Sequence, residues 1–360
     1  MRVINIIKDI QPIRMGVFTA ATNTASYLFN KHNVLSELWF PGSNYGNTFK
    51  EVESVSLPDR GVSFLKKMIK ERDLCPNSDI IVTHSPWSYQ SGWGYDLAQQ
   101  GFKWIFVAHG TLQPTYLAQK WLKKKIYYEL VEKRLLSKVS IIRAISEPEK
   151  NNLQKKFPDK KIVVIPNGYE ILSAERQVKK EKTIFLYMGR LHHQKRVVQL
   201  ARAWISSSLN NKPSYELIIA GPDDGELINL ERILKQSSNV RYVGAIYGLE
   251  KEDWFSKSSF FILPSIGEGF PVSVTEAAGR GLIPVITEGC NFPEILENGL
   301  AVKTGINSEE IKSSVELCGS FDEYTIQKMS NKVIQFMKGN YSIEIIAEKQ
   351  YELYKNLLRS

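Results

Sequence analysis

Short apolar runs alternate with longer polar stretches along the whole chain, the pattern of parallel strands joined by crossover helices. Arg2 to Ile7 predicts a first strand, Val34 to Phe40 a second and Ser78 to His84 another, each too continuously apolar for a sheet with one wet face. A helix is expected near Thr19 to Asn30, which gives the strand, loop, helix order of a Rossmann-like half. Lys103 to Ala108, Val139 to Ile145 and Lys161 to Ile165 continue the series. Ser173 to Glu181 then breaks it, polar and without period, and predicts an interdomain linker. Beyond it Lys182 to Met188, Tyr215 to Gly221, Val240 to Val243 and Ser259 to Leu263 read as strands again, and Ser308 to Leu358 is helical in pattern. A chain of 360 residues is long for one core, so the expected class is α/β in two domains, 1–172 and 182–340, closed by a helix over 341–360.

One helical stretch is unusual. Trp121 to Leu136 places apolar residues at 121, 122, 126, 130, 131 and 135, with Lys123, Lys124 and Lys125 along one polar edge. Basic and aromatic residues together suit an interfacial helix. The charge balance supports that reading: the net +9 lies wholly in residues 1–170, with 24 Lys and Arg against 15 Asp and Glu, while 171–360 hold 23 of each. The expected partner is an anionic membrane surface met by Lys123, Lys124, Lys125, Lys133 and Arg134, and no recognition motif points to nucleic acid. The cysteines Cys75, Cys290 and Cys318 have neither zinc-ligand nor disulfide-framework spacing, which fits a reducing cytosol. Met1 leads directly into the first apolar strand, and no apolar run approaches the ~18 residues of a membrane span. The expectation is a cytoplasmic protein, peripheral at the inner face of the plasma membrane.

The densest chemistry is Pro264-Ser-Ile-Gly-Glu-Gly-Phe-Pro-Val-Ser-Val-Thr-Glu276. A strand before it, a glycine turn within it and a helix opening after Pro271 supply free backbone amides at the positive end of a helix dipole, an anion site. Glu268 and Glu276 flank that site. Carboxylates repel phosphate, so they are expected to accept hydrogen bonds from hydroxyls, and the implied ligand is an anion joined to polyols. Gly189-Arg190 and Lys195 lie across a turn entering a helix, where two cations can converge on one diphosphate. His192-His193 has no further ligand at hand, and no metal is expected. His84-Ser-Pro-Trp87, rich in aromatic and small polar residues downstream, and His109-Gly110 both end strands where open α/β sheets bind ligands.

The Glu268 to Glu276 string, with Ala277-Ala-Gly-Arg-Gly-Leu-Ile-Pro-Val-Ile-Thr287 and Phe292-Pro-Glu-Ile295 after it, resembles the E-x7-E signature of retaining glycosyltransferases of family four, which have the GT-B fold. The resemblance implies two Rossmann-like domains facing a central cleft, an acceptor-binding domain first and a nucleotide-sugar-binding domain second, with a C-terminal helix crossing back to the first. It implies that Arg190, Lys195 and the helix opening at Gly269, Phe270, Pro271, Val272 and Ser273 bind the donor diphosphate. Glu276 then holds the ribose, Glu268 the sugar hydroxyls, and His109 the sugar from the other side. Gly244 falls where the base packs in the family, and Gly16, placed with the donor-binding residues, is what remains of a glycine pair in a loop that approaches donor phosphate or acceptor. Arg14, His84, Trp87 and Asn167 are the acceptor-side candidates. The substrate implied is a UDP- or GDP-sugar, with no cofactor and no metal, and the departing phosphate takes the acceptor proton. The expected role is transfer to a lipid-linked oligosaccharide of O-antigen, capsule or exopolysaccharide type. A soluble acceptor, or a GT-B sugar-nucleotide epimerase, remains as an alternative.

Overall fold

The computed structural model describes residues 1–9, 15–42, 51–113, 121–171 and 181–360, so the Ser173 to Lys180 part of the linker reading lies outside the described residues. The chain divides into two compact units, one of Met1–Gly168 with Tyr341–Ser360, the other of Tyr169–Asn340.

The first unit is built on a parallel sheet of β1 (Arg2–Ile6), β2 (Leu35–Pro41), β3 (Val52–Leu57), β4 (Asp79–His84), β5 (Lys103–Val107), β6 (Ile141–Ala144) and β7 (Ile162–Val164). The strand order is β3-β2-β1-β4-β5-β6-β7, so the direction of winding reverses between β1 and β4. Apolar side chains on both faces bury the sheet, and Trp39, Trp93 and Trp104 are wholly inside. Each indole has a partner, as a buried N–H requires: Trp104 Nε1 donates to Thr83 Oγ1 at 2.8 Å and Trp93 Nε1 to Gly61 O at 2.6 Å. Gly94 makes room for the Trp104 ring, which a Cβ there would approach to 2.3 Å.

The single helix expected over Thr19 to Asn30 is two, Met15–Thr22 and Ala25–His32. At the break, Asn23 Nδ2 donates to Gly168 O and Thr24 Oγ1 donates to Gln350 Oε1 at 2.8 Å. The closing helix Ile343–Arg359 therefore packs within the first unit. Tyr27 OH donates to Glu348 Oε1 at 2.9 Å, Lys31 Nζ pairs with it at 2.8 Å, and His32 stacks on Tyr351 with ring centroids 3.7 Å apart. The Lys31 hydrogen bond holds the Glu348 carboxyl down to about 2.

The stretch Trp121 to Leu136 is helical, in the segments Trp121–Tyr127, Tyr128–Glu132 and Lys133–Leu136, the middle one a π turn. Of the six apolar positions 121, 122, 126, 130, 131 and 135, five are exposed and Leu135 is half-buried. Trp121 is 59% exposed, Leu122 53%, Ile126 53% and Leu130 73%, while Glu132 and Leu136 are the buried residues of this stretch. A π turn inserts one residue and shifts the buried stripe. The carboxyl that lands inside receives the hydroxyl of Ser91, and burial raises it to about 7.

The second unit is built on a parallel sheet of β8 (Thr183–Met188), β9 (Tyr215–Ala220), β10 (Val240–Tyr242), β11 (Phe260–Leu263), β12 (Ile283–Ile286) and β13 (Val302–Lys303), in the order β10-β9-β8-β11-β12-β13. Its winding reverses between β8 and β11. Phe185, Phe260, Phe261 and Trp204 are fully buried against that pair of strands or the helices beside it. The helix Ser308–Gly319 begins in a capping box, Asn307 accepting from Glu310 N and the Glu310 carboxylate reaching back to the Asn307 amide. Among the described residues no helix is long and apolar enough to cross a membrane.

Candidate functional site

Open α/β sheets bind ligands beyond the carboxyl ends of the strands at the point where the winding reverses. In the second unit that point lies between β8, which leads into Gly189-Arg190, and β11, which leads into Pro264 to Pro271. A cavity of about 320 Å³ opens there, lined by Arg190, Lys195, Glu268, Phe270, Pro271, Val272, Ser273 and Glu276, with Gly189, Gly221, Ala245, Ile246, Tyr247 and Lys251. Eight residues singled out from the sequence thus meet in one place. Gly244, at φ +78°, and Gly269 belong to the loops that carry the lining residues.

Backbone approach makes the cavity possible. Gly221 has φ +145°, and a Cβ on it would sit 1.9 Å from Gly189 O, so the loops after β8 and β9 touch main chain to main chain. The loop after β11 is tied to the turn carrying Lys195: Ile266 N donates to Gln194 O at 2.8 Å and Ser265 Oγ to the same oxygen at 3.2 Å. From the other side Glu268 N donates to Gly289 O at 2.7 Å, and Asn291 Nδ2 donates to Glu268 O. Phe270 stacks on Tyr169 with centroids 6.2 Å apart. Glu268 is thereby fixed at its backbone before any ligand arrives.

Three cations face three carboxylates around the cavity. Lys195 Nζ lies 2.5 Å from Glu268 Oε1, Lys251 Nζ 2.9 Å from Glu276 Oε1, and Arg190 Nη1 2.5 Å from Asp224 Oδ2. Their exposure separates them. The Lys195 and Glu268 side chains keep 18% and 11% of their surface, whereas Arg190 and Asp224 keep 58% and 39%, and an exposed pair is worth only about 0–1 kcal/mol. An incoming anion can draw Arg190 from Asp224 at little cost. In the helix Val272–Gly279, Val272 N donates to Phe270 O and Thr275 N to Pro271 O, which leaves the Ser273 and Val274 amides as the first-turn donors with no backbone acceptor among the described residues. His192 serves its own turn, its Nδ1 accepting from Gln194 N at 3.3 Å.

Sequence reasoning missed Asp224 and Lys251. In sequence, Asp223 and Asp224 after the strand Tyr215 to Gly221 read as solvated turn acids. Asp223 is one, its Oδ1 accepting from the Gly225, Glu226 and Leu227 amides, but Asp224 turns to Arg190. Lys251 lies one turn into the helix Gly248–Lys257, and nothing in its local sequence marks it.

The first unit has the corresponding crevice between β1 and β4, a cavity of about 340 Å³ lined by Lys8, Asp9, Val17, His84, Trp87, Gln90 and Thr111 among others. His84 is 1% exposed, its Nδ1 2.8 Å from His109 Nε2 and its Nε2 3.0 Å from Asn5 Oδ1. Burial and the nearby Arg143 guanidinium push the imidazole of His109 down to about 3, and burial, His109 and Arg143 push that of His84 well below its usual value. Both effects favour the uncharged form of the rings. The turn at His109, with φ +52°, is clamped by Glu149, whose Oε1 accepts from Gly110 N at 2.5 Å and whose Oε2 accepts from Ile145 N at 2.7 Å. Asn167 is 5% exposed and takes an N–H of Arg143, which also donates to the Ile165 and Pro166 carbonyls. Trp87, at φ +78°, borders this cavity and a second one of about 360 Å³ with Trp121, Lys124, Lys125, Tyr128 and Lys156. Gly16 is an exposed residue of the helix Met15–Thr22, and Arg14 lies outside the described residues.

Two family descriptions match the chain: "Glycosyl transferases group 1" over residues 168–318 and "Glycosyltransferase Family 4" over residues 49–171. The chain belongs to the group 1, family-four glycosyltransferases. Its fold is that of the GT-B members. A glycosyltransferase from Rickettsia africae superposes with a TM-score of 0.77 at 18% identity, covering 100% of this chain and 99% of that one. Among curated relatives of this family member, an uncharacterized glycosyltransferase of Haemophilus influenzae is 29% identical over 215 residues, 58% of this chain and 59% of that protein. The N,N'-diacetylbacillosaminyl-diphospho-undecaprenol alpha-1,3-N-acetylgalactosaminyltransferase of Campylobacter jejuni is 26% identical over 229 residues, 62% of this chain and 56% of that protein. The chain thus spans less than two thirds of the length of these two relatives.

Proposed function

We propose that the protein is a retaining glycosyltransferase that moves a sugar from a nucleoside diphosphate-sugar to a hydroxyl of a lipid-linked oligosaccharide, in O-antigen, capsule or exopolysaccharide synthesis. The observation that carries this reading is the second-unit cavity, where Arg190, Lys195 and the Ser273 and Val274 amides surround space already flanked by Glu268 and Glu276. A diphosphate there replaces Asp224 and Glu268 as partner of the two cations. That exchange frees the Glu268 carboxylate, as an acceptor only, to take hydroxyls of the sugar. Glu276, with Lys251 beside it, takes the ribose hydroxyls in the same way. Negative charge grows on the diphosphate as the glycosidic bond breaks, and fixed donors at that point stabilise the transition state more than the ground state. His109, neutral, contacts the sugar by hydrogen bonding rather than by charge. The acceptor hydroxyl attacks the face the diphosphate leaves and gives its proton to the departing phosphate, so the configuration is retained and no metal is called for.

The lipid-linked acceptor rests on the substrate in the name of the Campylobacter relative and on the exposed apolar and lysine-rich helix of the first unit. We assign that helix to the anionic inner leaflet.

The test is thermal stabilisation by UDP, GDP and ADP, with and without EDTA. A ligand at a hundredfold excess over its dissociation constant adds about 2.7 kcal/mol to stability, which a melt resolves. The expected result is a shift with one nucleoside diphosphate, retained in EDTA and lost in Glu276→Ala. No shift with any of the three overturns the donor-site assignment.

A further inference from the structure

We infer that Asn5 and His84 are positioning residues that fix the tautomer of His109, leaving its Nδ1 bare to accept a hydrogen bond from a hydroxyl of the bound sugar. The inference rests on the reading of His109 as a sugar contact, and it goes beyond it by assigning roles to two residues that touch no substrate.

The argument runs from the inside outward. Asn5 is a polar residue in the middle of β1, 6% exposed, and its amide oxygen faces His84 Nε2 at 3.0 Å. A carbonyl oxygen has no proton to give, so His84 Nε2 carries one. A neutral imidazole has a single N–H, so His84 Nδ1 is bare and accepts from His109 Nε2 at 2.8 Å. His109 has then spent its own N–H, and its Nδ1 is left as an acceptor. The hydrogen bonds need a neutral His84, whose imidazolium would set Nδ1–H against His109 Nε2–H, and the bare Nδ1 needs a neutral His109, which would take a second proton there. The surroundings keep them so. Arg143 is the charged group held beside the pair, fixed by carbonyls after β7, and Tyr354 of the closing helix lies near the same guanidinium. Glu149 spends its oxygens on the Gly110 and Ile145 amides, while Lys8 and Asp9 stand at the mouth of the cavity. The left-handed backbone at His109, clamped through Gly110, fixes where the ring projects.

The experiment has two arms on the full chain. Imidazole nitrogen shifts of 15N-histidine-labelled protein at pH 7 are expected to show His84 and His109 neutral and protonated at Nε2; His109 protonated at Nδ1 overturns the inference. In the second arm Asn5→Leu removes the acceptor and Asn5→Asp keeps one in place. Transfer by Asn5→Leu is expected to fall at least about tenfold in kcat, the value of one lost hydrogen bond to a positioned group. Asn5→Asp is expected to recover most of that loss at pH 8 and to lose activity again toward pH 6, since its carboxylate favours the imidazolium. Equal loss in both variants overturns the direction of the relay. Should Asn5→Leu not fold, the nitrogen shifts of the wild type and Asn5→Asp still decide. If the shifts are as expected but no sugar is transferred, it is the functional reading that fails and not the tautomer.

Discussion

Glu132 shows how much one buried atom can govern. Its carboxyl is wholly inside the first unit, Oε2 has no hydrogen-bond partner among the described residues, and burial raises it to about 7. Between pH 4.5 and 7 the folded protein therefore binds a proton that the unfolded chain has released, so this group's contribution to stability is lost as pH rises through that window. The slope is at most ~1.4 kcal/mol per pH unit. Glu132→Gln keeps the shape without the charge, and urea midpoints should show it gaining on the wild type between pH 5 and pH 8; a difference independent of pH would refute the assignment. The glycines of the candidate site make a second contrast. Gly221→Ala forces a Cβ to within 1.9 Å of Gly189 O, while Gly244→Ala at φ +78° meets nothing within 4 Å. The first should cost more than ~3 kcal/mol or abolish nucleotide binding, the second about 1 kcal/mol, read from melts with and without nucleotide. Glu268, Glu276, Arg190 and Lys195 were legible in the sequence because each sits at a fixed offset from a glycine turn between strand and helix. Asn5 was not, although a polar residue inside an apolar strand is a signal. Glu149 looks like the last member of a Ser146-x-x-Glu capping box, and its amide does bond Ser146 Oγ at 3.3 Å, yet its carboxylate works on Gly110.

Elements were readable wherever period and burial agreed. The strands flanking both points of reversal were found within a residue or so of their ends, because parallel strands covered on both faces are plain apolar runs. β12 was harder: Pro284 stands in the middle of it, and proline argues against an interior strand. β3 is an edge strand whose alternation breaks at Ser54. The helix Trp121 to Leu136 shows the limit of period alone, which gives a stripe but not the side the stripe faces. Trp121, Leu122, Ile126 and Leu130 point away from the core. Trp121→Ser with Leu130→Ser should leave the melting temperature nearly unchanged, since exposed side chains contribute within about 0.5 kcal/mol. The same double variant should lose flotation with vesicles containing anionic phospholipid. Loss of stability without loss of flotation would return this helix to an ordinary structural role.

At the scale of the molecule, the closing helix belongs to the unit with which the chain began. Ile346 and Ala347 are fully buried, and the helix Ala25–His32 is bound to the same segment through Tyr27, Lys31 and His32. Ile346→Ala should cost ~2–4 kcal/mol. Hydrogen exchange should locate the damage in Ala25–His32 and β1 to β4, not in β8 to β13; loss of protection in the second set would mean that the units do not unfold separately. The order of synthesis follows from the same arrangement. On the ribosome residues 1–168 emerge first, then the whole of 169–340, and only then the segment that binds Thr24, Tyr27, Lys31 and His32. At ~5–20 residues per second that interval is roughly ten to thirty seconds. Throughout it the second unit can complete itself while the older one waits without the helix that buries Ile346, Ala347 and Leu357, a ready client for a chaperone.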